Sequence, residues 1–198
     1  VTHVDSGGDT HDGARRVCIL TFDNGQRLVY KPRPVSGETG WEKLTAWLTQ
    51  ESPFALLAAH ALNRGSHGWV EYVPALPSEQ EGKLLKTPEF LRRCGILIAV
   101  MHALNAKDMH RENLHITKAG PLPVDLETIL HVSQPVGSTC TADDAWVELG
   151  SSVSSNGLLP TAIPNPAAAG EGWTDIGFLA TEAGGGNSYR FLAVLNPF

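Results

Sequence analysis

Positive charge is what this sequence lacks most clearly. Fifteen Lys and Arg stand against 21 Asp and Glu, a formal net charge of −6. No overall positive field draws in a phosphate backbone, so nucleic acid is not expected as the main partner, a local basic groove aside. Cysteine is scarce. Cys18, Cys94 and Cys140 are odd in number, far apart and form no CxxC pair, which argues against a disulfide framework and against a four-ligand zinc site. A reducing cytoplasm is the expected location. Long apolar runs are missing too. Ile96-Leu97-Ile98-Ala99-Val100-Met101 falls far short of the ~20 residues a membrane span needs, and no signal peptide is visible at the start. The eight histidines show no HExxH or facial-triad spacing, which argues against a zinc or iron site.

What remains is the composition of a folded domain. The 198 residues are 42% hydrophobic, the size of one domain or most of one. Gly 20 and Pro 13 imply much turn and loop. The chain opens on Val1 and stops at Asn196-Pro197-Phe198, so we expect a piece of something longer. Arg16–Phe22 and Gln26–Lys31 read as strands around Asp23-Asn24-Gly25, and Asn-Gly between two such runs is a strong hairpin signal. Pro32 and Pro34 end the second strand, which places Lys31 at its end. Residues 38–50 read as an amphipathic helix with Trp41, Leu44, Trp47 and Leu48 inward. A second helix is expected over 53–63, a short strand over 69–73 and a linker over 75–87. Thr87-Pro88-Glu89 opens a long helix with a cap, Pro at the first helical position and an acidic first turn. A polar loop and a strand–turn–strand follow, ending on Asp125-Leu126-Glu127. Trp41, Trp47 and Trp69 are expected in the core rather than as a ligand platform.

One ordered set of residues carries chemistry. Lys31 lies on a strand. Asp108 and Asn113 stand five apart, directly after the long helix. Asp125 follows a short hairpin. Protein-kinase-like enzymes use this order: a strand Lys on the ATP phosphates, a loop Asp with an Asn five residues on, and a second Asp that chelates magnesium. The hairpin folds the chain back so that two hard-oxygen ligands converge, the donor type magnesium prefers. Taken singly, each residue has an ordinary reading. An Asp before a turn is a cap, and a strand Lys is solvated. The set also departs from the protein-kinase pattern. No GxGxxG precedes Lys31, the loop reads Asp-Met-His, and the third motif is Asp-Leu-Glu. Glu38 and Glu42 are candidates by position to pair with Lys31.

At this point a resemblance becomes specific. Gly8-Asp9-Thr10-His11-x-Gly13, Leu28-Val29-Tyr30-Lys31-Pro32-Arg33, Gly68-Trp69-Val70-Glu71-Tyr72-Val73, Asp108-x-His110-x-Glu112-Asn113, Pro123-Val124-Asp125-Leu126-Glu127 and Gly157-Leu158-Leu159-Pro160 occur in this order. Together they resemble the dehydratase domain of class II lanthipeptide (lantibiotic) synthetases of the LanM type, over about residues 8 to 180. The resemblance implies an α+β, kinase-like (lipid-kinase-like) two-lobe fold, truncated here. A small β-rich lobe would span residues 1–74 and a partial, mainly helical lobe 75–198. It implies ATP- and Mg2+-dependent phosphorylation of Ser/Thr in a precursor peptide with a leader and a Ser/Thr/Cys-rich core. Phosphate elimination to dehydroalanine or dehydrobutyrine follows.

Carried over, Lys31, Asp108, His110, Asn113, Asp125 and Glu127 match the phosphorylation set, while Asp9 and His11 match positions tied to elimination. Asp108 would take the hydroxyl proton, with His110 beside it. Asn113 and Asp125 would hold the metal. Lys31, Arg33 and Glu127 would serve the nucleotide and its cation. The family's downstream elimination Arg and Thr are not assignable, and its zinc cyclase lies outside this chain. Two other readings stay open: a non-catalytic nucleotide- or peptide-binding fragment, and another kinase-like phosphotransferase.

Overall fold

The computed structural model describes residues 1–11, 15–51, 55–132, 152–160, 162–164, 173–175 and 177–179. These fall into two compact units. The first comprises Val1–Leu76 with His115–Glu127, and the second Pro77–Leu114 with Thr128–Phe198.

The first unit is built on a five-stranded sheet of β1 (His3–His11), β2 (Arg15–Thr21), β3 (Arg27–Lys31), β4 (Ala61–Asn63) and β5 (Gly68–Glu71), in the order β1-β2-β3-β5-β4. Every pairing is antiparallel. The β2–β3 hairpin turns where Asn24-Gly25 predicts it. The Asn24 side chain accepts from the Gln26 amide at 3.0 Å, and Gly25 N–H donates to Phe22 O at 3.0 Å. The polar, glycine-rich start of the chain is the edge strand β1. Backbone pairing to β2 forms it, which an apolar pattern cannot reveal.

Helix α1 (Ser36–Glu51) buries Glu38, Trp41 and Thr45, a stripe at helical spacing. Trp41 Nε1 donates to Leu57 O at 2.9 Å. Trp47, expected inward, is 55% exposed, because it falls off that stripe. The helix expected over 53–63 does not form among its described residues. Residues 55–60 carry no regular element, and Ala61–Asn63 is β4. Other partners take the backbone groups that a helix would use. Leu57 O accepts from Trp41, His60 O from the Glu71 amide, and Ala61 N–H donates to Glu42. The core here is Val35, Ala59 and Val70, with Val29, Ala61 and Val73 against it.

The returning segment supplies β6 (Leu114–Thr117) and β7 (Gly120–Pro123), joined by Lys118-Ala119 and buried through Ile116, Leu122 and Leu126. Leu76 N–H donates to Ile116 O at 2.9 Å, and the His115 ring meets Val73 O at 2.8 Å. Gly37 marks the tightest approach. A Cβ there would lie 2.2 Å from Leu126 O, so only glycine lets α1 reach the chain beside Asp125.

The second unit opens with α2 (Ser78–Leu84), within the stretch read as a linker. Pro77 O accepts from the Gln80 and Glu81 amides. Glu79 and Glu81 in the first turn and Lys83 in the last oppose the helix dipole. Helix α3 (Pro88–Ala103) starts as its sequence predicts, with Thr87 Oγ1 accepting from the Phe90 amide at 3.4 Å. Phe90, Cys94, Leu97 and Met101 form its buried face. Burial pushes the Cys94 thiol up to about 12, so it stays protonated and inert. A 3-10 turn at Arg111–Asn113 follows. A second 3-10 turn, Val153–Asn156, packs against α3. Strands β8 (Ala162–Pro164) and β9 (Trp173–Asp175) pair antiparallel. Among the described residues no helix is long and apolar enough to cross a membrane.

Candidate active site

In the first unit, strand β3 delivers Lys31 into the interior. Lys31 and Glu38 are each 4% exposed. Lys31 Nζ donates to Glu38 Oε1 at 3.0 Å and to Val124 O at 2.8 Å, and lies 3.4 Å from Asp125 Oδ1. A buried ammonium persists only when paired and hydrogen-bonded, and both conditions are met. The stripe that buries Trp41 also carries Glu38, so α1 brings this carboxylate to the strand Lys. Of the two glutamates that position suggested, Glu38 is the partner. Glu42 instead meets the His60 ring at 2.6 Å.

Arg33 completes the cluster. Its Nη2 donates to Glu38 Oε1 at 2.9 Å and to Asp125 Oδ1, and its Nη1 donates to Glu38 Oε2 at 3.4 Å and Pro34 O at 3.0 Å. Its Nε lies 3.0 Å from Glu127 Oε2 but makes no hydrogen bond; the contact is close and misaligned, so its attraction is Coulombic. Burial disfavours the Arg33 charge, yet Asp125, Glu38 and Glu127 outweigh it and hold the guanidinium pKa above its ordinary value. Two cations thus meet three carboxylates. The nucleotide role that the resemblance implies for Arg33 starts from a guanidinium shared among these acids.

In the second unit, Asp108 adopts a left-handed backbone, φ +60°, and its side chain is 55% exposed. The Glu112 amide donates to His110 Nδ1 at 3.2 Å. That donor leaves Nδ1 unprotonated and puts the ring proton on Nε2, which lies 3.3 Å from Asp108 Oδ1. Asn113 Nδ2 donates to Asp108 O at 2.7 Å and contacts Asp108 Oδ2 at 3.3 Å. The amide is thereby oriented, with its oxygen turned from Asp108. A carboxylate held between two N–H groups and open to solvent is suited to accept a hydroxyl proton.

A segment the sequence reading left without a role braces this loop. Met109 N–H donates to Asn156 O at 2.7 Å. Lys107 Nζ bonds Ser155 Oγ at 2.5 Å. Gly157 has φ +84°, and a Cβ there would lie 3.1 Å from Met109 N and 3.2 Å from His110 N. On its other side, Gly157 O and Leu158 O accept from the Phe178 and Leu179 amides, each at 3.0 Å. Asn156-Gly157 is a turn signal legible in the sequence; its contact with the Asp108 loop is not.

Asp9 and His11 fall in β1, where His11 pairs with Arg15 beyond a register irregularity between Gly7 and Thr10; their side chains lie outside the described ones, as does Cys140. Among the described residues, no group of three or more His, Cys, Asp or Glu is arranged to hold a metal ion. Asp125 and Glu127 offer a pair of hard oxygen donors, 30% and 47% exposed, which suits magnesium completed by water or phosphate oxygens.

Comparison with known proteins adds two findings. A family model described as "Domain of unknown function (DUF4135)" matches residues 1–196. The chain is also similar to a Lactococcus lactis subsp. lactis protein named "Lacticin 481/lactococcin biosynthesis protein LcnDR2", 28% identical over 138 residues. That match covers 63% of this chain and 14% of the length of the relative.

Proposed function

This chain belongs to the DUF4135 family, and from that premise we propose that it takes part in lanthipeptide biosynthesis as a kinase-like dehydratase segment. In this reading it transfers phosphate from ATP to Ser or Thr hydroxyls of a precursor peptide, and the phosphate is then eliminated. The relative's role in lacticin 481/lactococcin biosynthesis supports the peptide substrate. The observation that carries the reading is the buried Lys31–Glu38 pair with Asp125 3.4 Å from the same ammonium. Kinase-like phosphotransfer places a strand Lys, a helix Glu and a cation-binding Asp together in this way.

The roles follow from the chemistry. Lys31 neutralises phosphate charge. Asp108 accepts the hydroxyl proton, its carboxylate oriented by His110 Nε2–H and Asn113 Nδ2. Asp125 and Glu127 are the donors for magnesium, which when bound would supply charge neutralisation on the phosphates. Asp9 and His11 serve the elimination step. In that step a base removes the α proton while a cation stabilises the leaving phosphate.

The test is ATP binding by calorimetry with and without Mg2+, on this chain and on Asp125→Ala. Magnesium-dependent binding that the substitution abolishes is expected, followed by phosphopeptide formation from a Ser/Thr peptide in mass spectrometry. A folded chain that binds no ATP sinks the proposal and leaves a peptide-binding, non-catalytic segment. Binding with turnover only on small molecules or generic proteins leaves another kinase-like phosphotransferase.

A further inference from the structure

Arg33 sits where the proposed function wants a divalent cation. Its guanidinium reaches Asp125 Oδ1, stands 3.0 Å from Glu127 Oε2 and bonds Glu38. The side chain is 11% exposed, against 30% for Asp125 and 47% for Glu127. The guanidinium therefore holds the inner side of these two carboxylates while their outer side faces solvent. The seat is imperfect. Nε is buried without a hydrogen bond although a carboxylate oxygen is in reach, whereas an Arg fitted to a carboxylate uses its fork in parallel hydrogen bonds. Removing Arg33 would leave one cation, Lys31, among three carboxylates, a strongly attractive place for a second positive charge.

We propose that Arg33 is the resident counter-cation of the Asp125–Glu127 pair, holding it together in the absence of metal and opposing the entry of a divalent ion. This rests on reading Asp125 and Glu127 as cation donors. A bare cation must overcome the Arg33 charge. A cation that arrives with nucleotide phosphates brings negative charge for the guanidinium to face, so the metal loads with the nucleotide rather than before it.

The probe is Mn2+ alone, titrated into the whole chain without nucleotide and followed by electron paramagnetic resonance. Wild type is expected to bind weakly. Arg33→Gln, which keeps hydrogen-bonding capacity and removes the charge, is expected to bind about tenfold tighter. Arg33→Lys keeps the charge but loses the reach to Glu127, so an intermediate gain of about threefold is expected. Adding Asp125→Asn to Arg33→Gln should abolish the gain. Binding by Arg33→Gln no tighter than wild type, or a gain that survives Asp125→Asn, overturns the proposal. If circular dichroism shows Arg33→Gln unfolded, Arg33→Lys decides, and no gain there overturns it. The proposed function stands or falls separately. Phosphopeptide formation without an Arg33→Gln gain sinks only this inference. The gain in a chain that never transfers phosphate sinks only the function.

Discussion

Glu38 compensates two buried cations, and its truncation should cost more than that of either partner examined alone. Glu38→Ala removes the acceptors of Lys31 Nζ at 3.0 Å and of the Arg33 nitrogens at 2.9 and 3.4 Å. Breaking a buried ion pair by deleting one partner costs about 3–5 kcal/mol, because the remaining charge stays buried. Lys31 keeps Val124 O and Arg33 keeps Asp125, so the lower end, about 3 kcal/mol, is expected. Lys31→Met is different. Glu38 remains neutralised by Arg33, and the main loss is the donor to Val124 O, so about 1–2 kcal/mol is expected. The assay is equilibrium urea unfolding followed by tryptophan fluorescence and by circular dichroism. With a slope of about 2 kcal/mol/M, Glu38→Ala should lower the midpoint by roughly 1.5 M and Lys31→Met by roughly 0.5–1 M. Equal losses, or a larger loss for Lys31→Met, would refute the idea that one carboxylate serves both cations.

Two further outcomes are expected. Gly157→Ala places a Cβ 3.1 Å from Met109 N at φ +84°, which costs about 1–2 kcal/mol of backbone strain. Under the proposed function it should lower phosphotransfer severalfold with ATP affinity unchanged; calorimetry and initial rates separate the two, and a loss of ATP affinity alone would contradict the bracing role. The hydrogen bond and charge of Glu42, with Glu71 nearby, raise the His60 pKa above its ordinary 6.5. A raised histidine pKa contributes stability that is fully present below the unfolded value and lost as pH rises through the folded one. The stability deficit of His60→Ala should therefore be present at about pH 5.5 and vanish at about pH 9, and urea midpoints that differ equally at both would contradict it.

Local chemistry made much of the framework legible. The Asn24-Gly25 hairpin, the Thr87-Pro88 helix start and the strand–turn–strand before Asp125 all form from turn and capping residues that act over a few positions. The 3.6-residue spacing placed Glu38 as a candidate, but the choice between Glu38 and Glu42 depended on which face α1 turns inward. Trp47 shows the limit of that spacing, since a hydrophobic side chain on the wrong side of the stripe stays in water. The 53–63 segment is apolar enough for a helix, yet Trp41, Glu42 and β5 claim its backbone groups. Those partners lie up to 19 residues away, beyond any periodicity. Arg33 carries the same lesson into the site. Its partners Asp125 and Glu127 are more than 90 residues downstream, and nothing in Lys31-Pro32-Arg33 announces them.

The chain leaves its first unit after Leu76 and returns with His115–Glu127 before leaving again. That itinerary matters during synthesis. Until residue 127 has emerged from the ribosome, Lys31 has neither Val124 O nor Asp125, and Gly37 has no Leu126 to pack on. The nascent sheet must hold its buried charges in an unfinished state while some 40 residues of the other unit are made. The unit therefore closes through long-range contacts, which are slow to form because a large loop must be pinned first. Expression of residues 1–76 alone should give an aggregation-prone product, whereas grafting 115–127 onto their end through a short linker supplies every partner that Lys31 has.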